Sequence, residues 1–261
     1  MKKKVVLQNL KKQKIVGILN IPKIKPPYPA VIICHGFKGY KEQMHLQSLA
    51  SQLAQNGILA FRFDFGNGLG ESYGQLEDIS FGQYLDDLKT VVNYLAKQKF
   101  VDKKRIGLAG HSLGGQLILH YAPIDKRIKV LADLAGVIYH GLGDTGIEKI
   151  LKKQSINIEK DSHFFVFSKS KKKKFKVKIN FYFELVNCNT AKKIKQIKVP
   201  TLIIHGSRDE SVPLSHSRLV YRLVKGQKKM TIIPGAPHTW RQPKYYKKIN
   251  PIVVDWFKKY L

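Results

Sequence analysis

The stretch Arg105-Ile-Gly-Leu-Ala-Gly-His-Ser-Leu-Gly-Gly115 decides the fold of this chain. Its first five residues are mostly apolar, which predicts a short buried strand. The pattern Gly-x-Ser-x-Gly follows, centred on Ser112, and a helical pattern then continues to Tyr121. A serine on a sharp turn between a strand and a helix presents its hydroxyl outward, as in a nucleophile elbow. We therefore predict that Ser112 lies on such a turn.

The residues around Ser112 are consistent with a nucleophilic role. Gly110 and Gly114 lack side chains at the two positions where a strained turn leaves least room. A helix that begins after Ser112 would stabilise negative charge with its free N–H groups and its dipole. On this pentapeptide alone, a glycine-rich turn with an idle serine stays open as the alternative, so the rest of the chain has to decide.

Length and composition fit one α/β domain with a modest insertion, or at most two small domains. The chain has 261 residues, of which 43% are hydrophobic. Uninterrupted apolar runs stay far below the roughly 18 residues of a membrane span, and the apolar residues 5–7 are too few for a signal-peptide core. Cys34 and Cys188 give no disulfide framework. We therefore expect a cytoplasmic protein.

The net charge of +29 has two interpretations. A nucleic acid or an anionic membrane would attract such a chain. However, only 7 of the 47 basic residues are arginines, although arginine is better suited to specific phosphate and base contacts. The lysines are spread over the whole length, as a compositional bias would spread them. We therefore expect no specific nucleic-acid partner and leave weak association with an anionic surface open, as we do the oligomeric state.

Strand and helix patterns alternate along the chain. Apolar or alternating runs predict strands at Lys4–Leu7, Lys14–Leu19, Ala30–Cys34, Ile58–Phe63, Arg105–Ala109, Ile128–Leu134, Val199–His205 and Met230–Ile233. Helical spacing predicts helices at Glu42–Asn56, Phe81–Lys97, Gln116–Tyr121, Leu214–Lys225 and Tyr245–Leu261. This order is typical of an α/β fold with a mostly parallel sheet and helices on both faces. Ligands of such sheets bind beyond the carboxyl ends of the strands.

Residues 138–190 interrupt this alternation, and we predict that they form a cap inserted between two parts of the core, 1–137 and 191–261. Two aromatic-rich arms, 163–167 and 175–183, flank a lysine-rich tip. Apolar and polar residues alternate strictly in the second arm, which is typical of a strand. We therefore predict a β-hairpin in the cap, with an unstructured low-complexity insertion as the alternative.

A base that activates the serine is predicted at His238. A serine hydroxyl is a weak nucleophile until a base takes its proton, and imidazole is suited to this because it titrates near neutrality. His238 follows the last predicted strand in a turn-rich loop, whereas His45, His120 and His216 lie in helical stretches. Its position therefore distinguishes His238 from the other histidines.

A carboxylate that orients the imidazole is predicted at Asp209. The strand 201–204 leads into His205-Gly-Ser-Arg-Asp209, so this carboxylate also follows the carboxyl end of a strand. Asp133 is the rival, but it is embedded in an apolar segment where a charge would need a partner. With Asp209 as the acid, the chain order is serine, acid, histidine. This order is expected when a nucleophile elbow lies in an α/β fold with a mostly parallel sheet.

Backbone N–H groups of Leu113 and Phe37 are predicted to hold an oxyanion. A tetrahedral intermediate needs such donors, each worth about 3 kcal/mol. Leu113 directly follows the nucleophile, and Phe37 lies in the loop His35-Gly36-Phe37 after a predicted strand. We expect the side chains of Phe37 and His111 to contact the substrate. Because no cluster of His, Cys and Asp has the spacing of metal ligands, we expect no metal.

Together these motifs resemble the α/β-hydrolase superfamily over nearly the whole chain. The residues that carry the resemblance are His35–Gly39, Arg62–Phe65, Gly110–Gly115, His205–Asp209 and Gly235–His238. Within the superfamily, the pattern is similar to feruloyl/cinnamoyl-esterase-like and serine aminopeptidase-like hydrolases. The resemblance implies hydrolysis of carboxylic esters through an acyl-enzyme, with no cofactor and with an inserted cap.

We therefore expect a serine hydrolase that cleaves a small-molecule carboxylic ester. The reaction type is better determined than the substrate, because the lysine-rich cap does not visibly match the caps of the relatives. A peptidase, amidase, lipase or thioesterase with the same triad stays open. A protein without catalytic activity that binds anionic surfaces through the basic cap is a further alternative, which the complete set of motifs disfavours.

Overall fold

An eight-stranded sheet lies at the centre of the computed structural model, which describes residues 1–141 and 143–261. Its strands are β1 (Lys2–Gln8), β2 (Lys14–Asn20), β3 (Tyr28–Cys34), β4 (Leu59–Phe63), β5 (Val101–His111), β6 (Ile128–Leu134), β9 (Thr201–Gly206) and β10 (Lys228–Ile233). Two further strands, β7 (His163–Ser168) and β8 (Lys173–Lys178), form a separate two-stranded sheet.

The strand order of the large sheet is β1-β2-β4-β3-β5-β6-β9-β10. The pairs β1–β2 and β2–β4 are antiparallel, and all other neighbours are parallel. The central strands are apolar because helices cover both of their faces. This topology confirms the predicted α/β-hydrolase fold with its mostly parallel sheet.

Helices cover the two faces of this sheet. The helices of the described residues are α1 (Met44–Gln55), α2 (Phe81–Ala96), α3 (Leu113–Tyr121), α4 (Gly146–Lys153), α5 (Asn180–Asn187), α6 (Thr190–Ile194), α7 (Leu214–Leu223) and α8 (Pro243–Tyr260). None of these helices is both long enough and apolar enough to cross a membrane.

The side chains of β3 show how the two core layers arise. Successive residues of a strand point to opposite faces. Ala30, Ile32 and Cys34 accordingly join the core beneath α2 and α3, whereas Val31 and Ile33 join the core beneath α1 and α8. All five are buried. The carboxyl end of this rigid central strand therefore places the loop that starts at His35.

The segment 138–190 contains the predicted hairpin, but its second arm is shorter than expected. The strand β8 ends at Lys178, and Asn180–Asn187 forms the helix α5. Phe181 and Leu185, which are four residues apart, are buried on one face of that helix. The alternating pattern of the second arm therefore predicted a strand up to residue 183. Residues 180–187 instead form a helix, because burial of one helical face outweighs the strand preference of the pattern. The boundaries of the cap as a separate unit stay a prediction.

The first helix of this segment, α4, was not expected from the sequence. Thr145 is its N-cap residue, and the side chains of Thr145 and Glu148 form a reciprocal capping box. Such a box satisfies two N–H groups that the first turn of a helix leaves without partners. The pattern Thr-x-x-Glu followed by the apolar residues Ile150 and Leu151 was the available signal.

Asp133 is a fully buried carboxyl on β6, directly beneath the turn at Ser112. Its Oδ1 accepts a hydrogen bond from the Gly136 N–H at 2.9 Å, whereas no group of the described residues is bonded to its Oδ2. Burial raises the pKa of this carboxyl to about 7, an effect that the Gly136 N–H only partly offsets. The folded protein therefore holds a proton at Asp133 that the unfolded chain releases near pH 4.

Substitution Asp133→Asn is expected to remove one contribution to the pH dependence of stability, namely the one by which Asp133 lowers the free energy of unfolding between about pH 4 and pH 7. In this window the folded state keeps the proton at Asp133, whereas the unfolded chain loses it. The contribution of Asp133 to the free energy of unfolding therefore falls as pH rises. The slope removed by the substitution is at most about 1.4 kcal/mol per pH unit. Urea unfolding of both proteins at several pH values measures it.

The matched control is Asp255→Asn, which removes an exposed carboxylate on α8. This variant should keep the pH dependence of the wild type. Equal pH dependence of the wild type and the Asp133→Asn variant would show that the buried carboxyl does not titrate in this window.

Candidate active site

Ser112 lies on a strained turn between β5 and α3. Its backbone angles are φ 57° and ψ −119°, a conformation that costs about 1–3 kcal/mol for a residue other than glycine. Three hydrogen bonds hold the turn: the Ser112 N–H donates to Leu134, and the Ser112 carbonyl accepts from Gln116 and Val137. The predicted strand-turn-helix context of the Gly-x-Ser-x-Gly motif is therefore present.

The glycines of the motif are required by close contacts between backbones. A Cβ on Gly110 would collide with the carbonyl of Gly114. A Cβ on Gly114 would lie only 2.5 Å from the carbonyl oxygen of Cys34, at the end of β3. The beginning of α3 consequently packs directly on the loop that follows β3.

The structure brings Ser112, His238 and Asp209 together in one chain of hydrogen bonds. His238 Nε2 lies 2.9 Å from Ser112 Oγ, and His238 Nδ1 lies 2.7 Å from Asp209 Oδ2. An ionised carboxylate only accepts, so Nδ1 carries the proton and Nε2 accepts from the serine hydroxyl. The three residues come from the turns after β5, β9 and β10, at the carboxyl ends of parallel strands.

The environment of Asp209 keeps it ionised although it is buried. Burial raises the pKa of this carboxyl, but the hydrogen bond and charge of His238 and the N–H groups of Val212 and Ser211 outweigh that effect. The net pKa lies below the ordinary value. Asp209 Oδ1 accepts both N–H bonds, at 2.8 Å from Val212 and 2.9 Å from Ser211. The rival Asp133 is not hydrogen-bonded to His238 within the described residues.

His205 is a buried neighbour of Asp209 for which the sequence alone predicted no role. Its Nε2 lies 2.9 Å from the Val212 carbonyl and 3.3 Å from Asp209 Oδ2, and its Nδ1 lies 2.7 Å from Ser217 Oγ. The ring is completely buried, and burial lowers its pKa. A neutral His205 therefore donates from Nε2 and holds the loop that carries Asp209. Its place four residues before the acid was the available signal.

His111 is buried between protein groups. Its Nε2–H donates to the His238 carbonyl at 2.8 Å, and its ring lies 5.4 Å from that of Trp240 and 5.2 Å from that of His45. Burial and the nearby His238 lower the pKa of His111 to about 3. The ring is therefore neutral and links the elbow to the loop of His238. Contact of His111 with a substrate stays a prediction.

The two residues predicted to hold an oxyanion lie in segments that adjoin Ser112. Leu113 is the first residue of α3, and Phe37 belongs to the loop after β3. A Cβ on Gly36 would lie 2.9 Å from Ser112 Cβ, so this loop passes directly along the serine. Within the described residues, neither the Leu113 N–H nor the Phe37 N–H donates to another protein group.

Buried polar contacts hold the loop of Phe37. His35 Nε2 accepts from the Phe65 N–H at 3.1 Å, and its Nδ1 lies 2.9 Å from the Gly36 carbonyl. Lys41 Nζ forms an ion pair of 2.7 Å with Asp64, and both side chains are almost completely buried. Asp64 also accepts the Lys41 N–H at 2.6 Å. The loops after β3 and β4 are therefore joined by hydrogen bonds to charged groups, which are the stronger kind.

The inserted segment contacts the same loop. The ring of Phe181, on α5, lies 5.5 Å from the ring of Phe37. Lys38 Nζ donates to the carbonyl of Phe167, on β7, at 3.3 Å. Groups of three or more His, Cys, Asp or Glu side chains that could hold a metal ion are absent from residues 1–141 and 143–261.

Two curated proteins of similar sequence provide a comparison. A 31.7 kDa protein of Escherichia coli, described as uncharacterized and encoded in the traX-finO intergenic region, is 26% identical over 92% of this chain and 94% of its own length. The 2,6-dihydropseudooxynicotine hydrolase of Paenarthrobacter nicotinovorans is 28% identical over 80% of this chain and 52% of its own length.

The fold comparison and the family comparison agree. Est1E from Butyrivibrio proteoclasticus, in a structure with bound ferulic acid, superposes with a TM-score of 0.82 at 24% identity and covers 98% of both chains. That likeness shows the fold. The prolyl oligopeptidase family matches residues 45–261 of this chain, a range that includes Ser112, Asp209 and His238. This chain is therefore a hydrolase of the α/β-hydrolase superfamily and belongs to the prolyl oligopeptidase family.

Proposed function

We propose that the protein cleaves carboxylic esters as a serine hydrolase, with Ser112, His238 and Asp209 as its catalytic triad. The observation that carries the proposal is the continuous hydrogen-bond chain from Ser112 Oγ through His238 to Asp209 Oδ2. A hydroxyl, an imidazole and a carboxylate in this order are the groups that nucleophilic acyl transfer requires.

The geometry supports a two-step reaction. His238 Nε2 takes the proton of the Ser112 hydroxyl while Oγ attacks the ester carbonyl carbon. The carbonyl oxygen becomes an oxyanion, which the N–H groups of Phe37 and Leu113 bind. When the intermediate collapses, His238 returns the proton to the departing alcohol and an acyl-enzyme remains. Water, activated by the same imidazole, then releases the acid and regenerates Ser112.

Asp209 and His111 support the imidazole in different ways. Asp209 accepts from Nδ1, which sets the tautomer with Nε2 free to accept, and it stabilises the imidazolium that forms during the reaction. His111 acts as a positioning residue, because its bond to the His238 carbonyl holds the loop rather than the ring. The side chain of Phe37 lies beside the oxyanion donors and is proposed to contact the acyl group.

Peptide hydrolysis is the second candidate function. The name of the prolyl oligopeptidase family favours it, and the same triad can attack an amide. Ester hydrolysis is preferred because the sequence motifs are similar to those of feruloyl/cinnamoyl-esterase-like hydrolases and the overall fold matches that of Est1E, which binds ferulic acid. A lipase or thioesterase would use the same catalytic groups on another acyl substrate.

Substitution Ser112→Ala is expected to lower kcat for a p-nitrophenyl acyl ester by at least about 10⁴-fold. The reason is that alanine has no hydroxyl to form the acyl-enzyme. Rates are measured on purified protein, and labelling by a fluorophosphonate probe should be lost as well.

The control for this substitution is Ser51→Ala, on helix α1 and away from the site. It should leave both the rate and the labelling unchanged. Retention of wild-type turnover by the Ser112→Ala variant would overturn the assignment. A panel of p-nitrophenyl esters of several chain lengths and of aminoacyl p-nitroanilides then distinguishes esterase, lipase and peptidase activity.

Substitution Asp209→Asn is expected to lower kcat by roughly 10⁴-fold, as loss of the acid does in serine proteases. Asparagine can donate to Nδ1, which stabilises the wrong tautomer of His238. Because the pKa of Asp209 is lowered, the carboxylate is ionised throughout the neutral range, and the loss should be seen across a pH profile of kcat rather than at one pH.

The matched control is Glu210→Gln, which removes an exposed carboxylate from the adjacent position. Its pH profile should follow that of the wild type. A rate loss of less than about tenfold in the Asp209→Asn variant would show that another group performs this role.

A further inference from the structure

The outer face of the β7–β8 hairpin combines aromatic and basic side chains. Phe165 pairs with Lys176 across the hairpin, and Phe167 pairs with Lys174. Paired residues lie on the same face of a sheet. Phe165 is 37% exposed and Phe167 57% exposed, whereas the opposite face, with Phe164, is buried. Two phenyl rings are thus presented to solvent beside lysines.

The charge of this region has one sign. Residues 162–183 contain seven lysines and no Asp or Glu. Two of these lysines, Lys176 and Lys178, form ion pairs with Glu77 and Asp78. The four lysines 171–174, at the turn and the start of β8, are all exposed. Within residues 1–141 and 143–261, none of these four lies within ion-pair distance of a carboxylate. The hairpin end therefore presents an uncompensated positive charge.

Exposed aromatic rings beside uncompensated lysines suit the interface of a lipid bilayer. Phenyl rings enter the headgroup region, and lysines are attracted by anionic lipids. Single-stranded nucleic acid would instead require open ring faces for base stacking. The ammonium of Lys174 lies over the ring of Phe165 at 5.0 Å from its centroid, so one face of that ring is already occupied. The hairpin therefore fits a bilayer better than a nucleic acid.

We propose that the outer face of this hairpin, with Phe165 and Phe167, and its tip, with lysines 171–174, together bind the surface of an anionic lipid bilayer. The proposed binding surface adjoins the loop of Phe37, because the Phe167 carbonyl accepts a hydrogen bond from Lys38 in that loop. On the basis of the proposed function, the bilayer then supplies acyl esters dissolved in it as substrates.

Vesicle co-sedimentation tests the binding. The vesicles consist of ether-linked phosphatidylcholine, either alone or with about one third ether-linked phosphatidylglycerol. Ether lipids cannot be hydrolysed by an esterase, so binding is measured independently of catalysis. The wild type should bind the anionic vesicles and not the neutral ones, and added salt should weaken the binding because it screens the charges.

Two hairpin variants carry the test. The tip variant combines Lys171→Gln, Lys172→Gln, Lys173→Gln and Lys174→Gln. It should lower the partition coefficient by roughly 600-fold at low salt, since each of the four lysines near an anionic surface contributes about fivefold. The aromatic variant, Phe165→Ser with Phe167→Ser, should lower it by roughly tenfold or more. Circular dichroism checks that both variants are folded.

The matched control removes the same charge from the opposite end of the sheet, between α2 and the first residues of β5. It combines four substitutions of exposed lysines, Lys97→Gln, Lys99→Gln, Lys103→Gln and Lys104→Gln. This control should lower binding much less than the tip variant.

Three results would overturn the proposal. An equal loss in the control and the tip variant would attribute binding to the net charge of +29 as a whole. Unchanged binding by the aromatic variant would exclude insertion of the rings. The third result is that the wild type fails to bind vesicles but binds a fluorescent single-stranded oligonucleotide, and that the tip variant does not bind this oligonucleotide. The hairpin would then be a nucleic-acid-binding site. Loss of esterase activity alone leaves the binding result intact, so the two proposals fail separately.

Discussion

The strained turn at Ser112 is the constraint on which the rest of the site depends. A φ of 57° is unfavourable for serine, and the turn persists because neighbouring elements hold its backbone on both sides. The Ser112 N–H is bonded to Leu134 on β6, and its carbonyl accepts from Gln116 and Val137. The close approach of Gly114 to the end of β3 then brings the next loop against the serine. The conformation of this turn thus determines both the position of the Ser112 hydroxyl and the approach of the loop that carries Phe37.

Asp209 and Asp133 are both buried near this edge of the sheet, and they differ in the number of hydrogen bonds that their carboxyl groups accept. That number decides which of the two carboxyl groups is ionised. Asp209 accepts two backbone N–H bonds and the bond from His238, and its pKa lies below the ordinary value. Within residues 1–141 and 143–261, Asp133 accepts only from Gly136, and burial raises its pKa to about 7. Burial penalises both charges, and only the first is compensated. This difference gives a physical reason to prefer Asp209 as the acid of the proposed triad.

The segment 138–190 contacts the loop of Phe37 on one side and solvent on the other. It contacts the loop of Phe37 twice, through Phe181 against Phe37 and through the hydrogen bond from Lys38 to the Phe167 carbonyl. On its other side the hairpin presents aromatic rings and lysines to solvent. Phe181 lies on α5, and the exposed rings of Phe165 and Phe167 lie on β7, so one segment carries both the contacts with the loop of Phe37 and the face open to solvent.

The sequence by itself determined the strand and helix alternation, the elbow and the triad candidates, because each depends on a local pattern or on position after a strand. Tertiary structure alone decided that Asn180–Asn187 is a helix, since its alternating residues suit a strand equally well until packing selects the Phe181 face. It also decided the partners of His205 and His111, whose hydrogen bonds join residues that only folding brings together. Periodicity shows which face of a segment is apolar, but it does not show which distant residues that face, or a polar side chain such as a histidine ring, will contact.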